Sequence, residues 1–189
     1  TVEQELSQFL NKEACFVFSS GYLAGLSCCS SMICRRDEVV HDFLIHKCLF
    51  DGLRLSRATK HAFRHGDYQH ARSLLQRAEQ RRRSKPGSRI FVVVDGVYSM
   101  EGDVADLPLL RALCDEFGAI LIADESHSLG VLGKRGAGLE DHFSMPGSID
   151  IVCGSLSKGM CSAGGFVACS RRRHVALLPG LLAFTAAVP

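Results

Sequence analysis

Residues 90–127 read IFVVVDGVYSMEGDVADLPLLRALCDEFGAILIADESH. Two apolar runs, Ile90 to Val94 and Ala119 to Ala123, are continuous rather than alternating, which is the pattern of strands covered on both faces in a parallel sheet. Between them lies a well-punctuated helix. Asp106 is its N-cap, Pro108 sits in its first turn, Leu109, Leu110, Leu113 and Phe117 repeat at helical spacing, and Gly118 stops it. The stretch is a strand-helix-strand unit, and its neighbours extend the pattern. Ile149 to Cys153 and Phe166 to Cys169 are two further buried strands. Gln69 to Arg83 is a helix with Ala71, Leu74, Leu75 and Ala78 on one face, ended by Lys85-Pro86-Gly87. The first ten residues, TVEQELSQFL, form an amphipathic helix. The expected fold class is α/β, a mostly parallel central sheet with flanking helices.

Bulk composition narrows the function classes. A chain of 189 residues with 47% hydrophobic and 22% charged residues is long and apolar enough for one globular domain with a substantial core. A net charge of +2 gives no nucleic-acid footprint. The basic run Arg81 to Lys85 sits at a helix end, where cations complement the dipole. None of the nine cysteines forms a CxxC pair. Cys15, Cys114, Cys153 and Cys169 lie in apolar runs and read as small buried hydrophobes in a reducing compartment. Cys28, Cys29 and Cys34 lack metal-ligand spacing with a nearby His, and no metal site is expected. No apolar run approaches the ~20 residues that cross a bilayer, so a cytoplasmic location is expected.

In open α/β sheets ligands bind beyond the carboxyl ends of the strands. Here those positions read Asp95-Gly96-Val97-Tyr98-Ser99, Asp124-Glu125-Ser126-His127 and Gly154-Ser155-Leu156-Ser157-Lys158. A pyridoxal-phosphate site needs an amine to form an imine, a carboxylate to keep the pyridine nitrogen protonated, and donors for the phosphate. Lys158, in a small polar turn after a buried strand, offers the amine. Asp124, ending another strand, offers the carboxylate, with His127 three residues on. A lone strand-end Asp is more often an N-cap or loop carboxylate, and a lone Lys is more often a surface residue. Their placement after successive strands is what reverses those odds. Two other patterns carry less. Gly133, Gly136 and Gly138 do not match GxGxxG, and they follow a strand-end loop instead of opening a helix. His61 and His65 are spaced as on a zinc helix, but no Glu follows His61 and Gly66-Asp67 breaks the segment, so a strand and turn is expected there. Arg171 to Arg173 reads as a solvated turn.

The strings SSGYLAG, HDFLIHKCLFDG, VVVDGVYSMEGDVADLPLL, IADESHSLGVLGKRGAG, GSLSKGMCSAGGFV and LLAFTAAVP occur in an order that resembles the α-oxoamine synthases. These are fold-type I pyridoxal-phosphate homodimers that condense an amino acid with an acyl-thioester, releasing coenzyme A and usually carbon dioxide. The resemblance implies that Lys158 forms the imine and Asp124 pairs with the pyridinium. It places His127 and Ser99 on the phenolic oxygen and His46 over the cofactor ring. The backbone at Gly21 and Tyr22, opening a helix, would bind phosphate with Ser155, and Thr185 would reach the phosphate of the partner subunit. The substrates are then an amino acid and an acyl-CoA, and the site is shared between two copies of the chain.

The runs GSLSKGMCSAGGFV and FTAAVP are closest to bacterial-type serine palmitoyltransferases, which form 3-ketosphinganine. The alternatives are 8-amino-7-oxononanoate synthase, 5-aminolevulinate synthase and glycine C-acetyltransferase. A non-catalytic regulatory subunit is the reading of a different class, and the presence of Lys158, His46 and Asp124 argues against it. There are departures from the family pattern. Asp95 stands where a Glu is usual, Ser126 where an Ala is usual, and an Asn common near Gly25 is replaced. None removes a group that imine chemistry needs. Residues 1–189 are expected to be an incomplete cofactor-binding large domain, without the family's N-terminal segment and C-terminal small domain.

Overall fold

The computed structural model describes residues 1–170. In chain order the elements are α1 (Val2–Phe9), β1 (Ala14–Phe18), α2 (Gly21–Met32), β2 (Glu38–Asp42), α3 (Lys47–Ser56), β3 (Thr59–Phe63), α4 (Tyr68–Arg83), β4 (Ile90–Asp95), α5 (Leu107–Phe117), β5 (Ile120–Asp124), α6 (Leu139–His142), β6 (Ile151–Ser155) and β7 (Gly165–Cys169). They build a seven-stranded sheet in the order β1-β7-β6-β5-β4-β2-β3. Only the pairings of β7, with β1 and with β6, are antiparallel.

The continuous apolar runs are explained by helices on both faces. Val92, Val94, Leu121 and Ala123 belong to one core, with residues of α1, α4 and α5. Phe91, Val93, Ile120 and Ile122 point the other way, into a core built from α2 and α3. The punctuation of α5 works as its residue types require. The Asp106 side chain accepts a hydrogen bond from the Leu109 backbone N–H, and Gly118 closes the helix in the left-handed conformation at φ 58°. The expected strands are all present; β4, β5 and β6 end one or two residues later than expected, and β7 begins one residue earlier. His61 lies in β3 and His65 in the turn after it, as strand-and-turn rather than a zinc helix. Thr185 and the run Arg171 to Arg173 lie outside the described residues.

Because β1 is antiparallel to β7 and β7 to β6, the carboxyl ends of β1, β4, β5 and β6 lie along one edge of the sheet. The amino end of α2, which follows β1 directly, reaches the same edge. Four strand ends and one helix terminus therefore converge on one volume.

Candidate active site

At that edge is a cavity of about 420 Å³, lined among others by Gly21, Tyr22, His46, Ser99, Asp124, His127, Ser155 and Lys158. Every site residue expected from the sequence that lies within residues 1–170 is on this wall. The same cavity is lined by Ser20, Cys48, Asp95, Ser126 and Ser157, which the sequence reading did not assign to it.

Ser20 caps α2, its hydroxyl accepting from the Leu23 backbone N–H. That leaves the first N–H groups of the helix, at Gly21 and Tyr22, for an anion. Gly21 is required by contact: a Cβ there would stand 2.4 Å from the Ser155 Cβ. The helix terminus can thus lie directly against the end of β6. Ser155 in turn is held by two serines. Its backbone N–H donates to Ser126 Oγ at 2.9 Å, and its hydroxyl is 2.7 Å from that of Ser157. Tyr22 reaches outward, its hydroxyl donating to Asp51 at 2.7 Å.

Asp124 ends β5 and is 5% exposed. Its Oδ1 accepts from the Ser126 backbone N–H at 2.9 Å, and its Oδ2 is 3.8 Å from the Cys48 sulfur. No cation pairs with it among the described residues. Asp95 is its register partner on β4. Burial first, then the charge of Asp124, pushes the Asp95 carboxyl up to about 8. Asp95 therefore holds a proton at neutral pH and adds no second charge beside Asp124. It also accepts from the His46 backbone N–H at 3.2 Å, so β4 fixes the start of α3. There His46 is the N-cap, its ring nitrogen accepting from the Cys48 backbone N–H, which turns an exposed imidazole along the cavity wall.

His127 is held below its usual pKa, by burial and then by the positive charge of Lys158. It is a neutral imidazole at neutral pH. Lys158 lies in the turn between β6 and β7, closed by bonds from the Leu156 N–H to the Gly164 carbonyl and from the Ser162 N–H to the Leu156 carbonyl. Its amine is exposed and has no hydrogen-bond or ion-pair partner among the described residues. Ser99 is carried by the β4–α5 loop. The Tyr98 N–H donates to the Asp103 carbonyl and the Gly102 N–H to the Tyr98 carbonyl. His65 braces this loop from outside, bridging Asp42 at 3.0 Å and Asp103 at 3.1 Å.

Among the described residues, an unpaired amine, a buried carboxylate without a cation and an open helix terminus form the set that pyridoxal phosphate requires, and no described side chain fills the space between them. The family described as aminotransferase class I and II matches residues 1–185. The chain belongs to this family. It is 41% identical over 167 residues to an 8-amino-7-oxononanoate synthase of Acidithiobacillus ferrooxidans, a match covering 88% of this chain and 41% of that protein. To a serine palmitoyltransferase of Sphingobacterium spiritivorum it is 38% identical over 167 residues, covering 88% of this chain and 40% of that protein. Among solved structures, a serine palmitoyltransferase from S. paucimobilis with a bound PLP–myriocin aldimine superposes with a TM-score of 0.85 at 32% identity, covering 93% of this chain and 44% of that one. Both kinds of relative are α-oxoamine synthases, the group that the motifs resemble. The chain spans less than half the length of each of these proteins.

Proposed function

We propose that residues 1–189 are most of the cofactor-binding domain of a pyridoxal-phosphate-dependent acyltransferase, which joins an amino acid to an acyl-CoA with loss of carbon dioxide. The observation that carries this reading is Asp124, a buried carboxylate on the wall of a cavity with no cation of its own among the described residues. Such a group is costly unless a ligand brings the positive charge. The bound cofactor supplies an aldehyde that takes up amines and a protonated ring that accepts electrons from a bond broken at the amino acid α-carbon.

The chain's own residues do the rest. Asp124 keeps the ring nitrogen protonated, and Asp95, itself protonated, leaves that interaction undiluted. Lys158 would supply the amine that anchors the cofactor and, when free, a base for the α-carbon proton. His46 forms the wall over the ring and orients the substrate carboxylate. His127 and Ser99 hold the phenolic oxygen, while the α2 terminus and Ser155 hold the phosphate. A second copy of the chain would complete the site, with Thr185 as the residue that the resemblance assigns to the partner's phosphate. The cytoplasmic location expected from the sequence stays part of this proposal; no helix among the described residues is long and apolar enough to cross a membrane.

Serine and a long-chain acyl-CoA are the proposed substrates, on the runs around Lys158 and Thr185. The similarity to an 8-amino-7-oxononanoate synthase favours a second pair, alanine with a shorter acyl chain. Assaying the full-length protein with serine, alanine and glycine against short and long acyl-CoAs separates them. The expected result is release of free coenzyme A fastest with serine and a long chain. A preference for alanine and a short chain selects the second reading, and no coenzyme A release with any pair sinks both.

A further inference from the structure

Among the described residues, His46, Cys48 and Asp124 bring together a ring nitrogen, a sulfur and a carboxylate oxygen, all within 4.8 Å of one another. His46 Nδ1 is 2.9 Å from Cys48 Sγ, which is 3.8 Å from Asp124 Oδ2. Zinc holds sulfur at about 2.3 Å and nitrogen or oxygen at about 2.0 Å, so the ligand atoms of a tetrahedral site stand roughly 3.3 to 3.7 Å apart. The separations here bracket that range. Imidazole, thiolate and carboxylate are a donor set for a borderline-soft divalent ion, not for magnesium or calcium.

The surroundings support the ligands. The Ser126 N–H fixes Asp124 Oδ1 and leaves Oδ2 beside the thiol, and Asp95 holds the backbone of His46. Cys48 is buried, and its thiol lies well above the ordinary range through burial and then the charge of Asp124. The sulfur therefore stays protonated when the site holds no cation. A bound cation displaces that proton to solvent, takes the His46 Nδ1 lone pair over from the Cys48 backbone N–H, and balances the two negative ligands. His46 is exposed on the cavity wall, which gives the ion an entry path and a fourth position open to water.

We propose that, when no cofactor is bound, His46, Cys48 and Asp124 take up a thiophilic divalent cation such as Zn²⁺, and that cation and cofactor exclude each other. Exclusion follows because Asp124 and His46 are committed to both ligands. That half rests on the cofactor reading; the metal site does not.

The test uses the full-length protein stripped of cofactor. Co²⁺ should produce a thiolate-to-metal charge-transfer band, and Zn²⁺ should bind one per chain in competition with a chromophoric chelator. Cys48→Ser should abolish the band and weaken Zn²⁺ by at least about tenfold, with Asp124→Asn weakening it similarly. Cys34→Ser, at an exposed cysteine far from the cluster in sequence, should change neither. Thermal unfolding shows whether each variant is folded. Absence of the band, or its survival in folded Cys48→Ser, overturns the metal site. Saturation with pyridoxal phosphate should release the Zn²⁺, and equal Zn²⁺ content with and without cofactor overturns exclusion. If Zn²⁺ binds as described but pyridoxal phosphate does not bind at all, the cofactor reading fails and the metal site stands.

Discussion

Asp124 and Asp95 occupy the same register on adjacent strands, and the difference between them is the most consequential feature at the scale of single residues. Both line the cavity; among the described residues Asp124 has no cation, while Asp95 keeps its proton and holds His46. Replacing Asp124 by Asn preserves shape and removes charge. The full-length variant should keep much of its cofactor but exchange the α-proton of bound amino acid about a hundredfold more slowly, as expected when a preorganised charge is lost. Exchange at the wild-type rate would show that Asp124 does not serve the ring nitrogen. His46→Ala removes the wall over the ring. It should retain cofactor and lose most condensation, with transamination of the amino acid as a side reaction, because orientation of the breaking bond fails before affinity does. Normal condensation would return His46 to a helix-capping role only. Asp124 and Lys158 were legible from their places after apolar runs, whereas His46 entered only through the family resemblance. Cys48 was not legible, because a cysteine on an amphipathic helix reads as core until the fold turns it toward Asp124. Asp95 was noted at its strand end, but its link to the backbone of His46 crosses 49 residues and no local pattern announces it.

At the scale of elements, β4, β5, β6 and β7 were readable because they are buried on both faces. β1 and β2 were not, and β3 was read only as a strand around His61. β1 and β3 are edge strands, and β3 is only half covered. β2 is fully buried yet carries Glu38, His41 and Asp42. Its charges are satisfied from distant positions: Arg81 and Lys85 pair with Glu38 at 2.9 and 2.8 Å, and His65 meets Asp42. The sequence showed Arg81 to Lys85 as cations complementing a helix dipole, whereas the fold also uses two of them to bury a strand. The helix that matters most to the site is α2, and its position depends on Gly21. A Cβ at Gly21 would collide with Ser155 and push the helix terminus from the phosphate position. Gly21→Ala should therefore raise the dissociation constant for pyridoxal phosphate by at least about tenfold, a loss of about 1.4 kcal/mol, while binding of phosphate-free pyridoxal barely changes. Equal affinity for pyridoxal phosphate in both proteins would contradict the assignment of the α2 terminus to the anion.

For the molecule as a whole, gathering carboxyl groups at one sheet edge has a cost that depends on pH. Folded Asp95 keeps its proton up to about 8, whereas an unfolded Asp releases it near ~3.9. Between those values the native state binds more protons, so this group lowers stability as pH rises. Glu125, raised to about 7 by burial, has the same sign. Histidines held below their usual pKa, such as His41 and His127, act in the opposite direction. The Asp95 contribution is therefore read from the difference between wild type and Asp95→Asn. In cofactor-free full-length protein the wild type should lose denaturant stability relative to the variant as pH rises from about 5 to 8, and parallel curves would refute the assignment. The central claim concerns the same edge: strand ends far apart in sequence make one cradle in which Lys158 is the anchoring amine. Borohydride reduction of the full-length protein loaded with pyridoxal phosphate, followed by peptide mapping, tests it most directly. The account predicts one pyridoxyl group per chain, on Lys158; labelling of a different lysine, or none, would contradict it.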